Sequence, residues 1–143
     1  MPPSFLEATQ RTGAQVGTPG PMGRLLIRGE YGTDIVDELA PIPGEPVFDK
    51  PGFSAFEGTA LGPLLTRKGI RTLLICGITT EVCVSSTLRT ATDRGFGCIT
   101  VGDACASAYP TLHAAALQMI EVEGGVFGHV AVTDAVLAVL ATH

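Results

Sequence analysis

Two side chains in this chain of 143 residues are best placed for covalent chemistry, Cys83 and Lys50. Cys83 comes after the apolar run 71–78 (RTLLICGI) and falls in the first turn of a helix expected over 80–94. Backbone N–H groups and the positive end of the helix dipole stabilise a thiolate there. Lys50 closes the short apolar run 46–50 (PVFDK) and is followed by Pro51, Gly52 and Phe53. The other lysine, Lys68, sits at a helix end. Position alone leaves both residues open. A lone cysteine is commonly a buried structural thiol, and a lysine at a strand end commonly snorkels to water. Cys76 and Cys98 lie inside expected strands and read as structural, as does Cys105. Asp103 ends a strand and can instead cap the next turn. His113 and His129 have no partner one helical turn away and read as surface or packed residues. The cysteines show neither C-x-x-C spacing nor paired histidines, so no metal site is expected.

Strands alternating with helices must position these groups. The pattern predicts strands over 46–50, 71–78, 97–102 and 126–130, and helices over 60–68, 80–94, 111–123 and from 133 to about 140. The run 71–78 is apolar at alternate and intervening positions, which predicts a strand buried on both faces. Thr59 and Thr133 stand where helix caps are needed. Such alternation gives an α/β fold with a parallel sheet, and ligands then bind beyond the carboxyl ends of the strands. Asp49, Lys50, Thr79, Thr80, Cys83 and Asp103 all fall there. Eight of the ten prolines lie in the first 51 residues, so residues 1–45 are expected to be loop-rich, with a short helix over 3–12 and a turn ending near Leu39.

The segments DKPGFSAFEGTAL (49–61) and GITTEVCVSSTLRTATDRGF (77–96), and the strand ending in Asp103, resemble the isochorismatase-like cysteine hydrolases. PGPMGRLLIRGEYGTDIVDELAPIPGE (19–45) and GGVFGHVA (124–131) resemble the amidohydrolase branch of that family, which includes biuret hydrolase and ureidoacrylate amidohydrolase. The resemblance implies a single domain over 1–143 with a Rossmann-like three-layer αβα fold. It also implies that the first two βα units, on the order of 60 residues, are missing. It makes Cys83 the nucleophile and Lys50 the lysine that helps generate the thiolate. The backbone N–H groups of Thr79 and Cys83 would form the oxyanion hole, after a cis peptide between Ile78 and Thr79. The family's base, an aspartate after its first strand in a D-x-Q motif, has no counterpart here: only Asp34, Asp37 and Asp49 precede Lys50, and none follows an apolar strand. No histidine precedes His113, so the upstream histidines of the metal-dependent nicotinamidases are lacking and no metal or other cofactor is expected.

Function is therefore expected to be metal-independent hydrolysis of a C–N bond in a small amide or ureido compound, through a cysteine thioester. Two alternatives stand beside it. One is an inactive truncated relative that serves as an oligomerising or binding module; the other is hydrolysis of the isochorismate enol ether. The latter needs no cysteine nucleophile, so Cys83 disfavours it. Phe53, Phe56 and Phe127 are candidates to line a substrate pocket, although aromatics commonly belong to a core. Arg24 and Arg28 are candidates to hold a carboxylate, or else solvated loop residues. The net charge is −5 and the basic residues are scattered, which excludes a nucleic-acid footprint. The sequence has no apolar stretch of about 18 residues and no signal-like start, so no membrane association and a reducing cytoplasmic setting are expected. Low charge and an apolar composition predict a homo-oligomer.

Overall fold

The computed structural model describes residues 15–142; the helix expected over 3–12 lies outside them. The chain divides into two compact units, Met1–Pro51 and Gly52–His143.

In the first unit the prolines limit regular structure. Two-residue strands β1 (Pro19–Gly20) and β2 (Gly23–Arg24) pair antiparallel. Single 3-10 turns form at Tyr31–Thr33 and Asp37–Leu39. Arg24 clasps the Glu30 carboxylate twice, donating its backbone N–H at 3.0 Å and its Nε at 2.7 Å. Those bonds hold the Glu30 carboxyl below the usual range, the backbone bond contributing most. The strand expected over 46–50 does not form. Pro46 supplies no N–H, Val47 is 60% exposed, and no strand among the described residues pairs with this segment.

The second unit is an α/β layer structure. Helix α1 (Leu61–Arg67) leads to β3 (Thr72–Ile78), a five-residue π turn (Thr80–Val84) and helix α2 (Ser85–Asp93). Strand β4 (Gly97–Ala106), helix α3 (Pro110–Ile120), strand β5 (His129–Ala131) and helix α4 (Thr133–Leu140) follow. A kinked turn at Val122–Gly125 joins α3 to β5. The sheet is parallel, in the order β3-β4-β5. Thr59 Oγ1 accepts the Leu61 N–H at 3.2 Å, but the N-cap of α1 is Ala60, one residue later than expected, and no side chain caps the helix.

Alternation of side chains along the strands sorts the core. Leu73, Ile75 and Cys98 join Leu88 and Ala91 of α2, Leu117 and Ile120 of α3, and Phe56 in one cluster. Leu74, Ile99 and Ala131 turn the other way and meet Ala135, Val136, Val139 and Leu140 of α4 across a shallow apolar cleft of about 260 Å³. Leu88 is fully buried, worth roughly 1.5–3 kcal/mol for such a side chain. β3 departs from the expected burial on both faces. It lies at an edge of the described sheet, so only Ile75 is buried while Leu74, Cys76 and Ile78 are exposed.

β4 runs longer than expected because it bulges. It takes five steps from Thr100 to Cys105 while β3 takes two from Ile75 to Gly77. The bulge carries Asp103 out of the ladder. Its Oδ1 accepts both the backbone N–H (2.8 Å) and the hydroxyl (2.9 Å) of Thr133. The carboxyl end of β4 is thereby fixed to the start of α4.

Candidate active site

Cys83 sits just past the carboxyl end of β3. The Ile78–Thr79 peptide is cis, and Thr79 is extended (φ −91°, ψ 148°). The chain then turns through Thr80–Val84 into α2. The expected helix from residue 80 begins instead as a π turn. Thr79 O accepts the Val82 and the Val84 N–H groups, each at 3.2 Å. Such turns are rare and cluster at functional sites. Cys83 is half-buried in this turn, and its side chain is a thiol.

Two side-chain bonds hold the start of the turn. Thr80 is buried (1% exposed) and its Oγ1 lies 2.8 Å from His113 Nδ1, a hydrogen bond whose direction follows the histidine tautomer. The next residue, Glu81, accepts the Ser107 hydroxyl at Oε1, 2.8 Å away. Ser107 Oγ accepts the Tyr109 N–H at 3.0 Å. Glu81 Oε2 is buried with no hydrogen-bond partner among the described residues. Sequence reading takes His113 for an isolated residue, because its partner is 33 positions away.

The remaining thiols differ in setting. Cys98 and Cys105 are buried, and desolvation pushes both thiols up from the ordinary range. Bonds from Thr92 to Cys98 and from Gly77 to Cys105 offset that in part. Cys76 is exposed on β3.

Lys50 belongs to the first unit, where it is exposed. Its neighbour Asp49 pairs with Arg28 at 2.5 Å, and Arg24 is taken by Glu30. Both arginines proposed for a carboxylate therefore already face one. Of the upstream aspartates, Asp34 accepts the Ile35 N–H at 2.9 Å and Asp37 opens a 3-10 turn.

The loop after Pro51 is docked on the helix that follows Cys83. Ala55 donates its N–H to Thr87 Oγ1 at 2.9 Å. Phe56 is a core residue, 3% exposed, with its ring 5.8 Å from that of Phe96 and the Arg94 guanidinium 4.9 Å from its centroid. Phe127 lies under Arg89, 4.3 Å from ring centroid to guanidinium, and Phe53 is 49% exposed. Among the described residues no three His, Cys, Asp or Glu side chains gather into a metal-binding group. No helix among them is long and apolar enough to cross a membrane.

Residues 7–135 match the Isochorismatase domain. A ureidoacrylate amidohydrolase, RutB of Methylorubrum extorquens, is 42% identical over 116 residues, covering 80% of this chain and 47% of the relative. The chain thus spans about half the length of that relative. An isochorismatase-like hydrolase from Alkaliphilus metalliredigens superposes with a TM-score of 0.74 at 30% identity, covering 80% of this chain and 60% of that one. A cysteine hydrolase from Pseudomonas syringae pv. phaseolicola gives a TM-score of 0.75 at 27% identity, covering 82% and 59%. With the α/β layers, the parallel sheet and the matched span in place, the chain belongs to the isochorismatase-domain family.

Proposed function

We propose that the protein hydrolyses a C–N bond in a small amide or ureido compound, without a metal, using Cys83 as nucleophile. The observation that carries this reading is the seat of Cys83 in the turn directly after β3. The relatives named for amidohydrolase and cysteine hydrolase activity support it. The Cys83 thiolate attacks the carbonyl carbon, and an S–C bond forms. Backbone N–H groups of Thr79 and Cys83 stabilise the negative oxygen, since fixed donors aimed at developing charge contribute most to acyl transfer. The C–N bond breaks, and the nitrogen leaves as an amine, taking up through solvent the proton that the Cys83 thiol gave up in forming the thiolate. Water then cleaves the thioester, releasing the acid and restoring the thiol. Lys50 is assigned the cation that favours the thiolate, by its match to the family's lysine block.

Ammonia release from biuret, ureidoacrylate and N-carbamoyl amino acids tests this. Cys83→Ala is expected to lose at least about 10³-fold in rate and Lys50→Ala about 10²-fold, as befits groups acting on the bond-breaking step. Activity of Cys83→Ala within about tenfold of the parent would overturn the nucleophile role.

The same reading takes the working form as a cytoplasmic homo-oligomer. Leu74 and Ile78 on β3, with Leu137, Val139 and Leu140 of α4, are exposed apolar residues among the described ones, and exposed apolar surface favours association. A stable monomer by light scattering at micromolar concentration would refute the oligomer. Cell fractionation that finds the protein outside the cytoplasm would refute the location.

A further inference from the structure

We propose that His113 and Ser107 are positioning residues for Cys83, a role that rests on the reading of Cys83 as the nucleophile. The backbone of the turn does not by itself select one winding. Thr79 O accepts the N–H three residues on, from Val82, and the N–H five residues on, from Val84, each at 3.2 Å. The first bond belongs to a tight 3-10 turn and the second to a wide π turn. Rewinding from one to the other rotates every later residue of the turn about the helix axis, Cys83 among them.

The side chains supply what the backbone lacks. Thr80 and Glu81 are the first two residues of the turn, and each is tied to the segment that follows β4. Thr80 Oγ1 meets His113 Nδ1 at 2.8 Å, within α3. Glu81 Oε1 accepts the Ser107 hydroxyl at 2.8 Å, in the loop before α3. That loop is in turn held by the Tyr109 N–H on Ser107 Oγ, at 3.0 Å. Neither His113 nor Ser107 rides on the turn, so a change of winding has to break both ties. The Thr80 hydroxyl is buried, and a buried hydroxyl that loses its partner cannot turn to water for another. The ties therefore fix the winding, and with it the direction in which Cys83 points.

Isosteric variants test this in the chain as it stands. Thr80→Val removes the hydroxyl and keeps the shape, whereas Thr80→Ser keeps the hydroxyl. His113→Leu removes the ring nitrogen, whereas His113→Asn keeps a polar atom near the place of Nδ1. Iodoacetamide labelling with peptide mapping gives the rate at Cys83 relative to Cys76 in the same molecule. Thr80→Val and His113→Leu are each expected to lower that ratio about tenfold, within the cost of a misplacement of about 1 Å. Thr80→Ser and His113→Asn are expected to restore it, and Ser107→Ala to lower it less. In amide hydrolysis the same two damaging variants should lower kcat and leave KM within about twofold, because bound substrate is not touched.

A ratio unchanged in Thr80→Val, or a drop that Thr80→Ser and His113→Asn do not restore, would overturn the proposal. Should His113→Leu fail to fold, the Thr80→Val and Thr80→Ser pair decides it. Absence of hydrolysis in the parent chain would remove the functional reading, while the labelling ratio would still decide the positioning role.

Discussion

The Thr92 hydroxyl donates to Leu88 O at 3.0 Å and also reaches Cys98 Sγ, 3.9 Å away across the turn between α2 and β4. The Cys98 thiol points on to Phe96 O at 3.6 Å. The bond from Thr92 favours the thiolate, yet burial outweighs it and the thiol is pushed up. Cys105 has the same balance, with burial first and the bond from Gly77 opposing it. These two cysteines are protected by the core, which leaves the contest for reagents to Cys83 and Cys76.

The expected labelling order with iodoacetamide at neutral pH is Cys83, then Cys76, then Cys98 and Cys105. Cys76 is the more exposed of the leading pair, so accessibility alone would put it first. Cys83 is expected to win on its proposed role as the nucleophile in the turn between β3 and α2. Peptide mapping after partial labelling reads the order. Cys76 modified ahead of Cys83 would count against the activated nucleophile.

Stability is expected to fall at alkaline pH. The folded chain keeps the Cys98 and Cys105 protons to higher pH than the unfolded chain does, because burial raises both thiols. Their contribution is fully present below the unfolded thiol value of about 8.5. It is lost as pH rises through the folded values, where the unfolded state has already released its protons. Urea midpoints at about pH 8 and pH 10 should show the drop, and the Cys98→Ala Cys105→Ala double variant should show a smaller one. An equal drop in parent and variant would assign the pH dependence to other groups.

How much of this was legible in the sequence depended on whether a feature was local. The apolar run ending at Ile78 and the segment with Cys83 are contiguous, so both the strand and the turn after it could be placed. The π winding could not, since one turn contains too few residues to separate its period from that of an α-helix. The run 46–50 has strand composition, but a strand also needs a partner, and Val47 stands exposed. The ties of Thr80 to His113 and of Glu81 to Ser107 join residues 33 and 26 positions apart. No spacing rule reaches so far. Sequence reading offers Phe56 as a candidate to line a substrate pocket, but only packing shows that it is buried against Phe96 and Arg94.

The start of β5 gives the sharpest test of the packing. Sequence pattern begins that strand at residue 126, whereas the structure begins it at His129, directly after Gly128. Gly128 has φ +118°, and a Cβ built there would overlap Cys98 O and stand 3.0 Å from its carbonyl carbon. Backbone of the central strand occupies that space, so no side-chain adjustment can relieve it. Gly124 is the natural control. It has φ +79° and nothing within 4 Å of its built Cβ, so Gly124→Ala meets only the backbone penalty of about 1–2 kcal/mol. Gly128→Ala meets a backbone penalty as well and must also push β5 away from β4. The pairing of Ile99 with His129 and Thr100 with Val130 would then loosen. A total cost above about 4 kcal/mol is expected, in the range reserved for a named structural failure. Urea titration of both variants measures the difference, and faster amide exchange over residues 129–131 would locate it. A Gly128→Ala midpoint close to that of Gly124→Ala would show that β5 does not approach Cys98 this closely.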